Sequence, residues 1–408
     1  MKKKTHLGKF LFPFLFCIMA TLSAWSQSAS YLDGVVTTGT SNQPVPNCSV
    51  YFNSTSKGDV TGSDGSFHLN NAPQGRYELI ISAIGYETTV IPVTSDQYPY
   101  HLKVNLKMKA SDLSAVTIEP FLANGWEKYG SVFFDNFVGS TPNASWCRIV
   151  NPAVLKFWFS ERTNKLTARA DEPLVITNKA LGYTIKYKME QFVVDFGNSS
   201  SIYIGYPFFE EMTPVDADEK KKWEKSRRQA YYGSVMHFMR TLHSDLWQED
   251  GFHIITKATQ PNLEKQRVSR IHFNDNRKSD TFRMNTNGKL IPEKPMTYPN
   301  DSIRYYKKIL KQPDFFTLYL SLNDLDSLLT TNGNGSKTLF FHDKLKILYQ
   351  PKPTDKLLQS EIWLLTPEPI IIDKSGGYFS PRELFMTERW AKYEKMANAL
   401  PLDYNPDR

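Results

Sequence analysis

Cysteine is scarce. The 408 residues hold three, Cys17, Cys48 and Cys147, and none stands in a nucleophile motif. Histidine is limited to eight, and H-E-x-x-H does not occur. His237 is followed by F-M-R and His243 by S-D-L, so neither begins an H-x-x-E pair. His272-Phe273-Asn274-Asp275 is the nearest variant. A zinc site built from two His and one carboxylate is therefore not expected, and no metal or other cofactor is. G-x-S-x-G is absent, which removes the usual serine nucleophile elbow. Gly333-Asn334-Gly335-Ser336-Lys337 begins like a phosphate loop but lacks G-K-[ST], and reads as a turn.

Charge of one sign is also in short supply. The chain has 49 Lys and Arg against 42 Asp and Glu, a net charge of +7. Four of those lysines, Lys2, Lys3, Lys4 and Lys9, precede an apolar run from Phe10 to Ala20. That run is too short to span a bilayer and contains Pro13. Small residues at Ala24 and Ser26 then suit a signal peptidase, so residues 1–26 read as a secretory leader with Gln27 as the new N-terminus. Without the leader the net charge falls to about +3, too mild for a nucleic-acid partner. No transmembrane helix is expected after its removal.

What the chain does have is strand signal. Aromatic residues make up 13 % of it, which fits β-rich structure. Within residues 30–108, Leu32–Thr37, Cys48–Asn53, Ser66–Leu69, Tyr77–Ala83, Thr88–Val93 and Leu102–Leu106 alternate or run apolar as strands do. Asp64-Gly65 and Gln74-Gly75 supply turns. Six or seven short strands in so few residues predict a small β-sandwich. Cys48 alternates with Val50 and Phe52, so it reads as a buried hydrophobe. It falls in a different domain from Cys147, and no bridge between them is expected.

The motifs of this stretch carry a resemblance. P44-V-P-N-C-S-V, G58-D-V-T-G-S-D-G-S-F, P73-Q-G-R-Y-E-L and Gly85-Tyr86 resemble the carboxypeptidase-regulatory-like domain of Bacteroidetes envelope proteins. The resemblance covers about one fifth of the chain. It implies a transthyretin-like β-sandwich, export and residence in the envelope, and it implies no catalysis. The later pieces F-V-G-S-T-P-N-A-S-W-C-R-I-V-N-P and P-L-V-I-T-N-K-A-L-G-Y-T-I-K-Y resemble the body of uncharacterised proteins that carry the same domain.

Residues 109–125 read as a linker, with one more possible strand within 111–120. Residues 126–408 read as a larger β-rich domain of unknown function. Receptors that bear the N-terminal domain continue into a plug and barrel; regular ten-residue alternation of that kind is not found here. Strand signals return from Val132 to Phe209. The period then changes near 214–250, where a long helix is expected, or two joined near Gly233. Thr213 is its candidate cap and Pro214 its first residue. Beyond it, strands are expected at Phe252–Thr256, Val268–Phe273, Thr281–Met284, Phe315–Leu320, Thr338–His342, Lys344–Tyr349 and Gln359–Leu365. Short helices are expected from Ser321 and from Ser380 through Trp390 to Pro401. The fold class is mainly β with an α+β C-terminal part.

No catalytic residue is nominated. Glu210-Glu211 and Asp324/Asp326 are pairs a glycosidase could use, but they equally suit solvated turns and helix ends. His237 and His243 lie six residues apart, about 600° of helix, and do not share a face. Trp126 and Trp146 lie in irregular stretches and are the candidate ligand-binding surfaces, because a flat indole can stack on a sugar. The expectation is an exported, non-catalytic protein, in the periplasm or associated with the outer membrane, with a structural or binding role. Its candidate partners are another envelope protein or a glycan. A carbohydrate-binding accessory protein and an unrecognised hydrolase in 126–408 are the alternatives.

Overall fold

The computed structural model describes residues 30–39, 41–109, 121–277, 282–284, 286, 290–292 and 299–407. The expected leader and the possible strand within 111–120 lie outside the described residues. Strands dominate, and they fall into three packed units, each with its own hydrophobic core.

The first unit is the expected sandwich. One sheet has the order Ser66–Asn70, Tyr31–Thr38, Tyr100–Leu106, the last pair parallel. The other has the antiparallel order Gly58–Val60, Ser49–Phe52, Arg76–Ser82, Thr89–Thr94. Alternation sends Leu32, Val36, Val50, Phe52, Leu79 and Val104 into the core between them. Cys48 is buried there, and Cys147 is also free. Burial pushes both thiols up to about 12, so neither is a ready nucleophile.

The second unit wraps a sheet around one helix. The strand Tyr183–Asp195 is its axis. Leu174–Asn178 and Lys165–Ala170 pair with opposite ends of it, and Ser200–Glu211 runs beside its whole length. Cys147–Ile149 and Leu155–Ser160 complete the sheet. The helix Gly125–Phe137, not anticipated from sequence, lays Phe133 and Phe137 against Phe157, Phe192 and Tyr187. Gly182, in the loop that enters the axial strand, has φ +68°, and a Cβ there would enter the Trp223 ring. Gly182→Ala should therefore cost about 2 kcal/mol. A thermal melt showing less than about 2 °C of loss would contradict that.

Two helices lead into the third unit where one long one was a possibility, and the first packs on the second unit through Trp223, Arg227 and Tyr231. Ala217–Tyr231 is capped by Asp216, whose Oδ1 accepts from the Glu219 N–H at 2.8 Å. Thr213 and Pro214 lie before that start, because Glu219 also reaches back to the Val215 N–H at 2.7 Å and closes the turn there. Gly233, at φ +76°, breaks the run, and Ser234 caps the second helix, Val235–Ser244. Two sheets enclose that helix. A five-stranded sheet has the order Phe315–Ser321, Phe252–Pro261, Leu345–Tyr349, Leu358–Leu364, Leu384–Thr387. A four-stranded sheet has the order Leu329–Thr331, Lys337–Leu339, Ile370–Ile372, Tyr378–Phe379. Phe238, Leu242, Phe252, Ile254, Ile347, Ile362, Ile370 and Trp390 share the core.

Three local expectations fail here. Val268–Phe273 is part of the helix Leu263–Arg277, which opens on Asn262, whose Oδ1 accepts from the Lys265 N–H at 2.9 Å. From Ser321 the chain turns instead of forming a helix, and Asp324 accepts from the Asp326 N–H. From Ser380 the chain makes one 3₁₀ turn at Pro381–Glu383 and the strand Leu384–Thr387 before the helix Glu388–Tyr393. Pairing of Leu384–Thr387 with Leu358–Leu364 decides that case against the local capping signal.

The sandwich is docked on the body. Tyr51 Oη donates to the Tyr206 carbonyl at 3.0 Å, and the Ser54 N–H to the Pro207 carbonyl at 2.8 Å. The Phe209 N–H returns a bond to Thr55, and the Leu402 N–H donates to Ser54 at 2.6 Å. Asp373 accepts from the Arg76 N–H at 3.0 Å.

Candidate functional site

Where the three units meet, they leave a cleft of about 1010 Å³. Asn53, Ser54, Tyr77 and Glu78 of the sandwich form one rim. Asn198–Gly205, at the start of the strand Ser200–Glu211, form a second wall. The third unit supplies Trp363, Phe385, Tyr378, Phe379 and Trp390, and Glu394 and Lys395 follow from its last helix.

Strand alternation produces the aromatic wall. Ile362 and Leu384 point into the core, so Trp363 and Phe385, cross-strand partners, point the other way. Their ring centroids are 4.6 Å apart with planes at 36°. Lys344 places its amine 4.0 Å from the Trp363 ring, and the Arg76 guanidinium lies 5.5 Å from Phe379.

The polar groups sit deeper. Glu394 follows the helix Glu388–Tyr393, and its Oε1 accepts from the Val235 N–H at 3.2 Å. Burial pushes its carboxyl up to about 7, against the pull of that N–H and of Arg389. It keeps partial exposure because it lines the cleft wall. Its neighbour Lys395 is pushed down to about 8 by burial, with its amine 5.0 Å from the Tyr203 ring. Tyr203 Oη donates to the Glu394 carbonyl at 2.7 Å. Burial raises Tyr203 and Tyr378 well above the ordinary phenol value. The most enclosed groups of the cleft are thus all driven toward their neutral forms. Such a site penalises an isolated charge and offers hydrogen bonds beside flat apolar rings.

The residues nominated from sequence lie elsewhere. Trp126 is half-buried, 6.5 Å from both Phe133 and Phe157, and packs on the core of the second unit. Trp146 is 63 % exposed at the end of the turn Pro142–Trp146. Neither lines the cleft. Glu210 is paired with Lys186 at 2.7 Å and Glu211 with Arg227 at 2.5 Å. His237 is buried in the third core, and His243 contacts the Gly335 carbonyl at 2.9 Å. Among the described residues no cluster of three His, Cys, Asp or Glu could hold a metal ion. Trp363 and Phe385 had one legible signal: each is the outward residue of an alternating strand. Glu394, Lys395 and Tyr203 had none.

Residues 32–118 match the CarboxypepD_reg-like domain, so the N-terminal unit is a carboxypeptidase-regulatory-like domain. No curated protein matches the chain. Among solved structures, a mutant type II cohesin–X-dockerin complex from Acetivibrio cellulolyticus is 23 % identical over 19 % of this chain, with a TM-score of 0.17. The chain spans 56 % of that structure's length. A candidate carbohydrate-binding protein from Bacteroides uniformis is 8 % identical over 84 % of this chain and 97 % of its own, with a TM-score of 0.15. A candidate membrane-associated protein of unknown function from Bacteroides fragilis is 12 % identical over 84 % and 93 %, with a TM-score of 0.16. TM-scores this low carry no inference about function. Among the described residues no helix is long and apolar enough to cross a membrane.

Proposed function

We propose that this is an exported, non-catalytic binding protein of the cell envelope, in the periplasm or on the outer membrane, whose cleft takes an uncharged carbohydrate. The observation that carries the reading is that the stacked Trp363–Phe385 pair and the hydrogen-bonding groups of Tyr203, Glu394 and Lys395 line one cleft, where burial disfavours their charged forms. A sugar presents the same pair of surfaces, with apolar ring faces and hydroxyl edges. The leader-like residues 1–26 and the regulatory-like domain support the location.

The test is a thermal-shift screen against neutral envelope and dietary glycans. A saturating ligand should raise the melting temperature. Trp363→Ala should weaken binding about tenfold, the loss of roughly 1.4 kcal/mol of ring contact. A flat response across the panel, or full affinity in Trp363→Ala, would sink the proposal.

A hydrolase is the competing reading, and Glu394 favours it. A carboxyl near 7 in a cleft has the protonation state of a general acid. Turnover of a bound glycan that is lost in Glu394→Gln would establish that reading in place of simple binding.

A further inference from the structure

The five-stranded sheet extends beyond its core. Leu345–Tyr349 pairs with Phe252–Pro261 only from Phe252 to Ile255. Past Ile255 that strand continues to Pro261 with one partner, Phe315–Ser321. The two form a ribbon that leaves the sheet and carries the helices Leu263–Arg277 and Asn300–Leu310. The ribbon's end is pinned by buried Asn262. Its Nδ2 donates to Gln312 and to the Pro313 carbonyl at 3.1 Å, and its Oδ1 accepts from the Lys265 N–H at 2.9 Å.

A two-stranded ribbon has no core in which to bury apolar side chains. Every residue of Phe315–Ser321 is exposed. Tyr319 is 61 % and Phe315 58 % exposed, and Leu318, Leu320 and Leu263 are exposed beside them. Alternation puts Phe315 and Tyr319 on one face of the ribbon and Phe316, Leu318 and Leu320 on the other, so both faces expose large apolar side chains.

The same segment concentrates the charge of the chain. Residues 256–321 hold thirteen Lys and Arg against six Asp and Glu, a net +7 that equals the value for the whole chain. Lys257, Arg270, Lys307, Lys308 and Lys311 are exposed on it. Basic and aromatic groups share a face. Lys257 is the cross-strand partner of Tyr319, and the amines of Lys257 and Lys346 both lie 5.9 Å from its ring.

We propose that this basic, aromatic arm docks on the surface of an anionic lipid bilayer. Aromatic and aliphatic side chains would enter the headgroup region while the Lys and Arg side chains meet lipid phosphates. The charge argues for lipid over a second copy of the chain. Pairing two exposed edge strands would bring two strongly basic arms together.

The test is sedimentation of the chain beginning at Gln27 with vesicles. Vesicles of phosphatidylglycerol and phosphatidylcholine should bind at least tenfold more protein than phosphatidylcholine alone, and 0.5 M salt should remove most of the difference. Lys307→Glu with Lys308→Glu, and separately Phe315→Ser with Tyr319→Ser, should each lower binding about tenfold without changing the melting temperature. Lys220→Glu with Lys221→Glu, on the exposed face of Ala217–Tyr231, is the charge control and should bind almost as wild type does. Three results would overturn the proposal. They are equal or absent binding to both vesicles, equal loss in the control, and arm variants that change self-association instead of lipid binding.

Discussion

Trp390→Ala should lower the melting temperature by about 10 °C. The indole is 2 % exposed, against Phe238 at 5.4 Å in the third core, and its Nε1–H donates to the Gly233 carbonyl at 2.9 Å. Removing a buried indole costs about 3–5 kcal/mol, and each kcal/mol is about 2–4 °C at this size. The carbonyl is not orphaned, because Arg389 Nη1 also donates to it at 3.0 Å. The effect should therefore be mainly cavity. Trp390→Phe retains most of the packing and loses one hydrogen bond, so it should cost only about 1–2 kcal/mol. Equal melting temperatures for the Ala and Phe variants would contradict this account. The position matters because Gly233 is the joint between two helices, where a Cβ would lie 2.7 Å from the Tyr349 ring. Trp390 also leads directly into Glu394 and the cleft.

The second large effect is a pair of opposed pH dependences at one helix end. His237 is buried, and its Nδ1 accepts from the Gly233 N–H at 3.1 Å. Burial, aided by the Arg240 charge, lowers its pKa to about 4. Asp250 lies 3.6 Å from Nε2, but burial and Glu249 raise that carboxyl too. Below about pH 6.5 the unfolded chain binds a proton at this residue that the folded chain does not, so stability is lost as pH falls toward 4. Glu394 acts in the opposite sense. Its folded pKa near 7 exceeds the ordinary carboxyl value, so the folded chain binds the extra proton. Stability is lost there as pH rises from about 4.5 to 7. Each shift corresponds to about 3 kcal/mol. Between pH 4.5 and 7 the two largely offset each other in the wild type. Glu394→Gln, which keeps an acceptor for Val235, should gain about 3 kcal/mol at pH 7.5 and nothing at pH 4.5. His237→Asn, which keeps an acceptor for Gly233, should do better than wild type at pH 4.5 relative to pH 7.5. Denaturant melts of all three proteins at the two pH values check this. Parallel pH profiles for wild type and both variants would contradict the assignment.

The elements legible in the sequence were those whose signal is local. Cys48, Val50 and Phe52 alternate, Asp64-Gly65 turns, and the sandwich follows with its core as read. The helix Gly125–Phe137 is not legible locally, because Val132, Phe133 and Phe134 form a strand-like run and only the sheet that Phe133 and Phe137 cover selects the helix. Val268–Phe273 reads as a strand because β-branched and aromatic residues favour strands in isolation, whereas the Asn262 cap starts a helix that carries through it.

Trp126 and Trp146 read as surface residues because irregular stretches tend to lie on the surface. Trp126 belongs to an amphipathic helix, and its indole turns toward Phe157. The residues that line the cleft come from positions as far apart as Tyr77, Tyr203, Trp363 and Lys395. No spacing rule connects them.

By itself the sequence determined a regulatory-like β-sandwich and a mainly β body, because turn residues and two-residue alternation act within a few positions. Only the tertiary structure decided that the sandwich docks on the strand Ser200–Glu211, that Trp363 and Phe385 share a wall, and that Glu394 lines the same cleft. Burial and cross-strand register produce those features. Both are properties of what packs against a residue, and the residue's own neighbours in the chain do not carry them.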